Sequence, residues 1–229
     1  MKVLFIITSV EAGAWLSEIT HPYWHLAERG VEVDFASLRG GKIGWTPWSD
    51  PGAKESMEPG DLVSKGFISD RSLMARLEKT SVLGKVDLSG YDAVHVAGGG
   101  GAAFDLYPDK DVAHALDYFF SSGKVVGAIC HGAVALGNIK ESIRGRRVTG
   151  FTFKEDMEVE RMVGSGFKIP NYTQKVLEAA GAKYSNVDPW MPHVVRDGKL
   201  LTGQNQQSAS EYGIILYHLL VGKSPVVSA

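Results

Sequence analysis

Cysteine is nearly absent from this chain: its 229 residues include one, Cys130. A single cysteine excludes an intrachain disulfide framework and any cysteine cluster that would hold zinc or an iron–sulfur centre. Basic charge is not in excess either, because 24 Lys and Arg residues stand against 26 Asp and Glu residues, which leaves a formal net charge of −2. Without a basic excess, nucleic acid is not an expected partner.

Long apolar runs are also missing. No stretch approaches the roughly 18 consecutive apolar residues that would span a bilayer. The apolar start, residues 1–7, is too short for a secretory signal and predicts a strand. We therefore expect no membrane partner and a cytoplasmic location. Apolar residues make up 44% of the chain and charged residues 22%, as in globular proteins, and the length predicts a single domain over residues 1–229.

Short runs rich in Val and Ile alternate with helical patterns, which predicts an α/β fold with a mostly parallel sheet covered by helices on both faces. Strands are predicted at residues 3–8, 32–37, 93–97, 125–129 and 147–149. Helices are predicted at residues 15–29, 109–122, 152–166, 170–180 and 207–220, with a hairpin around residues 197–198. Residues 40–73, rich in Gly, Pro, Ser and Trp, are predicted to form a loop or lid insertion.

The most informative segment, residues 125–136, runs from an apolar strand into Cys130 and His131, followed by small residues. This order is typical of a nucleophile elbow, a sharp turn between a strand and a helix that holds the nucleophile in a strained backbone conformation. The helix start is expected to lower the pKa of Cys130, because its N–H groups favour the thiolate. We therefore predict a nucleophilic Cys130 rather than a small buried residue, with a role for His131 beside it.

A run of four glycines, Gly98 to Gly101, follows the strand predicted at 93–97. Consecutive glycines let the backbone approach a ligand closely and point N–H groups at an oxyanion. The run lacks the following lysine and serine or threonine of a phosphate-binding loop. An oxyanion site is therefore the preferred interpretation over a turn without chemistry.

Three carboxylates are candidates for proton transfer or for orienting the histidine. Glu18 follows the first strand in an apolar helical pattern, where a buried acid would have a raised pKa and could exchange a proton with a thiol. A solvated position on the helix is an equally good interpretation of Glu18. Glu155 and Asp156 start a predicted helix, where acidic residues usually compensate the helix dipole. The residues alone favour that structural role.

Several spaced motifs together resemble the PfpI superfamily, whose members have the class I glutamine-amidotransferase-like fold. The motifs are Ala128-Ile129-Cys130-His131-Gly132, the glycine run, the segment around Glu18, Thr149-Gly150-Phe151-Thr152 with its acidic pair, and Pro189-Trp190. More narrowly, they resemble the branch of heat-shock chaperones and glutathione-independent glyoxalases (glyoxalase III). The resemblance implies a flavodoxin-like three-layer α/β/α sandwich.

The resemblance also implies a role for each candidate residue. Cys130 is implied to be the nucleophile, His131 its partner, and Asp156 the third member of a triad, with Glu155 as the alternative acid. Glu18 is implied to be the buried acid that hydrogen-bonds the cysteine and moves protons. Substrate and oxyanion binding are implied for Gly98, Gly99 and Gly100, with N–H groups supplied by Gly99 and His131.

The reaction implied is the conversion of methylglyoxal to D-lactate by a lyase of the D-lactate dehydratase type. Small 2-oxoaldehydes, methylglyoxal or glyoxal, would be the substrates, and neither a cofactor nor a metal is required. Members of the superfamily are commonly homodimers. A stress-chaperone activity towards unfolded client proteins and a deglycase activity are further expectations.

Other functions stay open from sequence alone. One is a chaperone or oxidative-stress sensor without a main enzymatic role, in which Cys130 is oxidised. Another is a cysteine amidase, peptidase or isonitrile hydratase of the same superfamily, because a fold does not determine a reaction. The long segment 40–73 favours the glyoxalase branch, since the sensor branch of the superfamily has shorter chains that lack this segment.

Overall fold

The computed structural model of the chain describes residues 1–222. Its strands are β1 (Lys2–Ile7), β2 (Glu32–Ser37), β3 (Ser81–Val82), β4 (Ala93–Val96), β5 (Val125–Ile129), β6 (Arg147–Val148), β7 (Lys183–Tyr184), β8 (Val194–Asp197) and β9 (Leu200–Gly203). Its α-helices are α1 (Ser17–Ala27), α2 (Leu62–Ser69), α3 (Arg71–Leu77), α4 (Ala102–Asp105), α5 (Lys110–Ser121), α6 (Lys140–Ile143), α7 (Phe153–Val163), α8 (Thr173–Ala179) and α9 (Ala209–Leu220). None of these helices, which belong to residues 1–222, is both long and apolar enough to cross a membrane.

Seven strands form one sheet in the order β3-β2-β1-β4-β5-β9-β8. Neighbouring strands run parallel except for β8, which forms the predicted hairpin with β9. With helices packed on both faces, the predicted α/β/α sandwich is confirmed. One strand prediction needs correction, because β6 pairs with β7 in a separate two-stranded sheet instead of joining the main sheet.

The side chains of β1 alternate between two cores, one on each face of the sheet. Val3, Phe5 and Ile7 pack in a cluster with residues of α1, α3 and α9, whereas Leu4 and Ile6 pack in a second cluster with residues of α5 and α8. All five side chains are fully buried. Burial on both faces explains why the chain begins with a continuous apolar run instead of an alternating one.

The segment 40–73 is only partly the loop that its composition predicts, because it contains α2 and the beginning of α3. Asp61 and Asp70 start these helices, and each carboxylate accepts hydrogen bonds from two N–H groups of the first helical turn. Phe67 of α2 is fully buried in the core that contains α1. Composition failed here because both helices are short, α2 directly follows the turn Pro59-Gly60, and α3 follows α2 after one residue.

The carboxyl ends of β1, β4 and β5 meet where the strand order reverses, since β2 lies on one side of β1 and β4 on the other. In open α/β sheets the crevice at such a point is the usual ligand site. From these strand ends the chain leads to α1 with Glu18, to the glycine run from Gly98, and to Cys130. The fold therefore brings the three sequence motifs to one edge of the sheet.

Candidate active site

Cys130 occupies the sharp turn that follows β5. Its φ of 56° lies in the left-handed region, which costs a residue with a side chain on the order of 1–2 kcal/mol. The turn also requires glycine at position 132, because a Cβ there would lie 2.6 Å from the carbonyl oxygens of Val96 and Ala97. The predicted elbow is therefore present, but Cys130–Ile139 forms a 3₁₀ helix and not a regular α-helix.

A thiol, an imidazole and a carboxylate form a continuous chain of contacts. Cys130 Sγ lies 3.7 Å from His131 Nδ1, and His131 Nε2 lies 2.8 Å from Asp156 Oδ1. Because the carboxylate accepts a hydrogen bond, Nε2 carries the proton and Nδ1 is an acceptor that faces the sulfur. Of the two acids proposed for this position from sequence, Asp156 contacts the imidazole, whereas the carboxylate of Glu155 binds other groups.

Glu18, in the first turn of α1, places its carboxyl group against Cys130. The side chain is fully buried, and a Cβ on Gly98 would overlap both Glu18 Oε2 and Cys130 Cβ. Within residues 1–222, neither carboxyl oxygen meets a donor of full hydrogen-bond geometry, although the thiol and the Gly98 N–H lie near enough to favour the anion. Of the two interpretations of Glu18, a buried acid and a solvated helix residue, the structure shows the buried acid.

Burial raises the pKa of both Glu18 and Cys130. For Cys130 the charge of Glu18 and the close contact of the thiol with its carboxyl group raise the pKa further, whereas the N–H groups of Gly99 and His131 lower it by a smaller amount. The predicted lowering of the thiol pKa is therefore wrong for the free protein. The N–H groups at the turn act in the predicted direction, but removal from water disfavours both anions more strongly.

The three glycines predicted to bind substrate occupy different places. The N–H of Gly99 points towards Cys130 Sγ together with that of His131, so both can stabilise negative charge on the sulfur or on an oxygen beside it. Gly100 lines the cavity beside the thiol. Gly98 packs beneath the Glu18 carboxyl group.

A buried histidine that sequence analysis did not single out, His95, forms a hydrogen bond with the backbone of Glu18. His95 Nε2 donates a hydrogen bond to the carbonyl oxygen of Glu18 (3.0 Å), and His95 Nδ1 accepts one from the hydroxyl of Tyr212 (2.8 Å). Burial lowers the pKa of His95 to about 4, so the ring is neutral and its tautomer is set by these two partners. His95 lies within an apolar strand pattern, and its distant partner on α9 gave no signal in the sequence.

A cavity of about 490 Å³ lies beside Cys130 and His131, with walls that are mainly aromatic and aliphatic. Phe151 packs against the His131 ring with centroids 4.1 Å apart and the ring planes tilted by 34°, and Trp190 meets Phe151 edge-on at 5.7 Å. Trp48, in the segment 40–73, also lines the cavity. Phe151 and Trp190 belong to motifs noted in the sequence, but only the fold places them together.

Glu155 anchors the loop that carries Trp190. Its Oε1 accepts hydrogen bonds from the Trp190 N–H and from Asn205 Nδ2, each at 2.8 Å, and its Oε2 accepts one from the Thr152 N–H at 2.9 Å. In return, Thr152 Oγ1 accepts a hydrogen bond from the Glu155 N–H, which completes a capping box at the start of α7. Trp190 has a φ of 63°, a strained conformation that needs such an anchor.

Replacing Glu155 with alanine is expected to lower the free energy of unfolding by about 2–4 kcal/mol, because four donors lose a buried acceptor and α7 loses half of its capping box. Chemical denaturation measures this change. Glu141→Ala is the matched control, since its side chain is 72% exposed, and should change stability by less than about 0.5 kcal/mol. Equal effects of the two substitutions would contradict the anchoring role.

The arrangement is suited to adding a nucleophile to a carbonyl group and then moving protons. It provides a thiol, an imidazole acceptor, a buried acid and two N–H groups around one sulfur atom. Among the described residues, no group of three or more His, Cys, Asp and Glu side chains could hold a metal ion.

Known proteins are similar to this chain in sequence and fold over nearly their whole length. The chain is 30% identical to the glutathione-independent glyoxalase HSP31 of Saccharomyces cerevisiae, with 91% of this chain and 93% of that protein covered. Its structure resembles the Rapid Encystment Protein 24 KDa of Francisella tularensis, with 31% identity, a TM-score of 0.84, and coverage of 96% and 99%. It also resembles glyoxalase III of Candida albicans, with 26% identity, a TM-score of 0.78, and coverage of 96% and 97%.

The family assignment rests on the match along the whole chain. The sequence profile of the DJ-1/PfpI family matches residues 1–217. This match confirms the resemblance indicated by the motifs around Glu18, Gly98 and Cys130. The chain therefore belongs to the DJ-1/PfpI family.

Proposed function

We propose that this protein converts methylglyoxal to D-lactate without glutathione or another cofactor. The observation that carries the proposal is the contact between a strained, buried thiol, Cys130, and the buried carboxyl group of Glu18. Addition to an aldehyde followed by proton transfer requires such a pair. The similar proteins of S. cerevisiae and C. albicans, both named as glyoxalases, support the same reaction.

In the first step, the Cys130 sulfur adds to the aldehyde carbon, C1, of methylglyoxal. His131 Nδ1, the acceptor 3.7 Å from the sulfur, takes the thiol proton as the bond forms. The N–H groups of Gly99 and His131 stabilise the charge on the aldehyde oxygen, and Glu18 supplies the proton that converts it to a hydroxyl group. The product is a hemithioacetal, and no free thiolate is needed beforehand.

In the second step, a proton moves from C1 to C2. Glu18, now a carboxylate, takes the proton from C1 and returns it to C2 by way of an enediol, while a second proton passes from the oxygen on C1 to that on C2. The result is a thioester of lactate, which water hydrolyses to lactate and the Cys130 thiol. C1 is oxidised as C2 is reduced, so no external electron acceptor is needed. The raised pKa of Glu18 makes it a stronger base than an ordinary carboxylate.

The proposal is tested by incubating the purified protein with methylglyoxal in the absence of glutathione. D-lactate should accumulate over many turnovers and be detected with stereospecific lactate dehydrogenases. A sample of Cys130→Ala, prepared in the same way, measures contaminating glyoxalase activity. If the wild-type protein forms no more lactate than this sample does, the proposal fails.

Replacing Asp156 with asparagine is expected to lower kcat for lactate formation by about 10²–10⁴-fold. The asparagine amide can donate to His131 Nε2, which moves the ring proton to Nδ1 and removes the acceptor that faces Cys130. Asp117→Asn, on the exposed side of α5, serves as the control and should leave kcat unchanged. A normal kcat in Asp156→Asn would show that the His131 tautomer does not limit the reaction.

Three finer expectations belong to the same proposal: a homodimer, activity towards unfolded client proteins, and a cytoplasmic location. Sedimentation velocity tests the first, suppression of client aggregation by Cys130→Ala tests the second, and fractionation of cells tests the third. A monomer in solution would remove the first expectation without affecting the reaction, because Cys130, His131, Asp156 and Glu18 all come from one chain.

A further inference from the structure

The cavity beside Cys130 is much larger than methylglyoxal. Its volume of about 490 Å³ lies in the range of roughly 300–1,000 Å³ that is usual for sites of drug-sized ligands. A water molecule occupies about 30 Å³ of liquid, and a three-carbon 2-oxoaldehyde is only a few times larger. Methylglyoxal bound to the sulfur would therefore leave most of the cavity unfilled.

The excess space is surrounded by aromatic surface. Six aromatic side chains line the cavity: Trp15, Trp48, Phe104, Phe151, Phe167 and Trp190. Phe104 and Phe167 form a pair with centroids 6.1 Å apart, and Phe104 is 47% exposed. Aromatic walls provide large apolar contact area with little conformational entropy to lose, and they favour apolar or aromatic ligand groups.

Charge in the cavity selects against an anionic group. Among residues 1–222, no Lys or Arg lines the cavity, and one acidic side chain, the exposed Glu11, does. A carboxylate or phosphate on the substrate would lose its hydration without gaining a cation as a partner. The same reasoning disfavours glutathione adducts, which carry two carboxylates.

Two of the tryptophans that line the cavity are held in place by hydrogen bonds. Trp15 Nε1 donates a hydrogen bond to Glu58 Oε2 at 2.9 Å. Trp190 is held through its backbone N–H by Glu155 and through Nε1 by Glu158. Side chains fixed in this way do not collapse onto a small ligand, and they lose little conformational entropy when a ligand binds.

We propose that the substrates best suited to this site are 2-oxoaldehydes in which C2 carries an uncharged aromatic or branched-alkyl group. This inference rests on the proposed function and specifies its substrate class. Cys130 and Glu18 act on the two carbonyl carbons as they do for methylglyoxal, and the substituent on C2 fills the aromatic part of the cavity. The site then gains affinity from the substituent at a distance from the reacting atoms.

The test compares kcat/KM for phenylglyoxal and methylglyoxal, with mandelate and lactate as the products measured. We expect the phenylglyoxal value to be at least about tenfold higher, since even one methylene in a fitting apolar pocket contributes roughly 10–200-fold. 4-Carboxyphenylglyoxal should be at least about tenfold worse than phenylglyoxal, because its carboxylate finds no cation. A phenylglyoxal-to-methylglyoxal ratio below ten, or equal values for the two aryl substrates, overturns the inference.

Two variants link the ratio to the cavity. Val159→Trp, on the wall formed by α7, fills part of the space and should lower the ratio at least tenfold. Phe104→Ala, at the exposed rim, should lower the ratio about threefold. It provides a second test if Val159→Trp does not fold. Ile214→Ala, an exposed apolar residue of α9 outside the cavity, should leave the ratio unchanged. Unchanged ratios in both cavity variants would overturn the inference.

The failure of the inference and the failure of the proposed function give different results. If the wild-type protein forms lactate but the ratio is below ten, only the substrate class is wrong. If it forms neither lactate nor mandelate, the proposed function itself is wrong.

Discussion

Cys130→Ala is expected to lower kcat/KM for methylglyoxal by at least about 10⁴-fold, to the level of contaminating activity. Without the sulfur there is no hemithioacetal, so the substrate is not held covalently where Glu18 can take a proton from C1. Neither His131 nor the surrounding N–H groups can replace that bond. A variant that retains a tenth of the wild-type activity would show that the thiol is not the nucleophile.

The fold should survive this substitution, which makes the activity loss interpretable. The Cys130 side chain is 2% exposed and small, so alanine leaves little empty space at the turn. Thermal unfolding of Cys130→Ala should therefore remain cooperative and within a few degrees of the wild type. Cys130→Ser is a second variant, in which the hydroxyl group occupies nearly the same space but is a far weaker nucleophile at neutral pH.

Glu18→Gln is expected to lower kcat by about 10²–10⁴-fold while making the thiol easier to ionise. Glutamine cannot exchange the proton between C1 and C2, which accounts for the lost turnover. The charge of Glu18 and the close contact of its carboxyl group with the thiol both raise the pKa of Cys130, so removing the acid lowers that pKa. The rate of alkylation by iodoacetamide, measured against pH, should then reach its midpoint at a lower pH than in the wild type.

These two readouts separate a proton-transfer role from a structural one. Glu32→Gln, at an exposed position on β2, is the matched control and should change neither readout. A Glu18→Gln protein with normal turnover would refute the proton-transfer role. An alkylation midpoint that stays in place or moves to higher pH would refute the electrostatic coupling between Glu18 and Cys130.

The strands that carry the site were predictable from the sequence. β2 and β5 have the predicted ends, β4 ends one residue earlier than predicted, and both ends of β1 lie one residue earlier than predicted. Strands buried on both faces are continuous apolar runs, which stand out from their polar and glycine-rich neighbours. Because β1, β4 and β5 lie parallel in the structure, the motifs that follow them meet at one edge of the sheet.

Long-range partners could not be predicted in the same way. β6 was predicted as a strand and β7 was not, and with two residues each they are too short for the sequence to show that they pair with each other. The choice between Asp156 and Glu155 also depends on the direction in which neighbouring positions of α7 point. In the structure Asp156 turns towards His131, and Glu155 turns towards the loop of Trp190.

The sequence by itself determined the α/β class and the elbow at Cys130, because both depend on local pattern. Only the tertiary structure decided the direction of the thiol pKa. That direction follows from how deeply Cys130 and Glu18 are buried together, and burial is a property of the packed molecule. It also decided the size and aromatic character of the cavity, whose walls come from segments far apart in the chain.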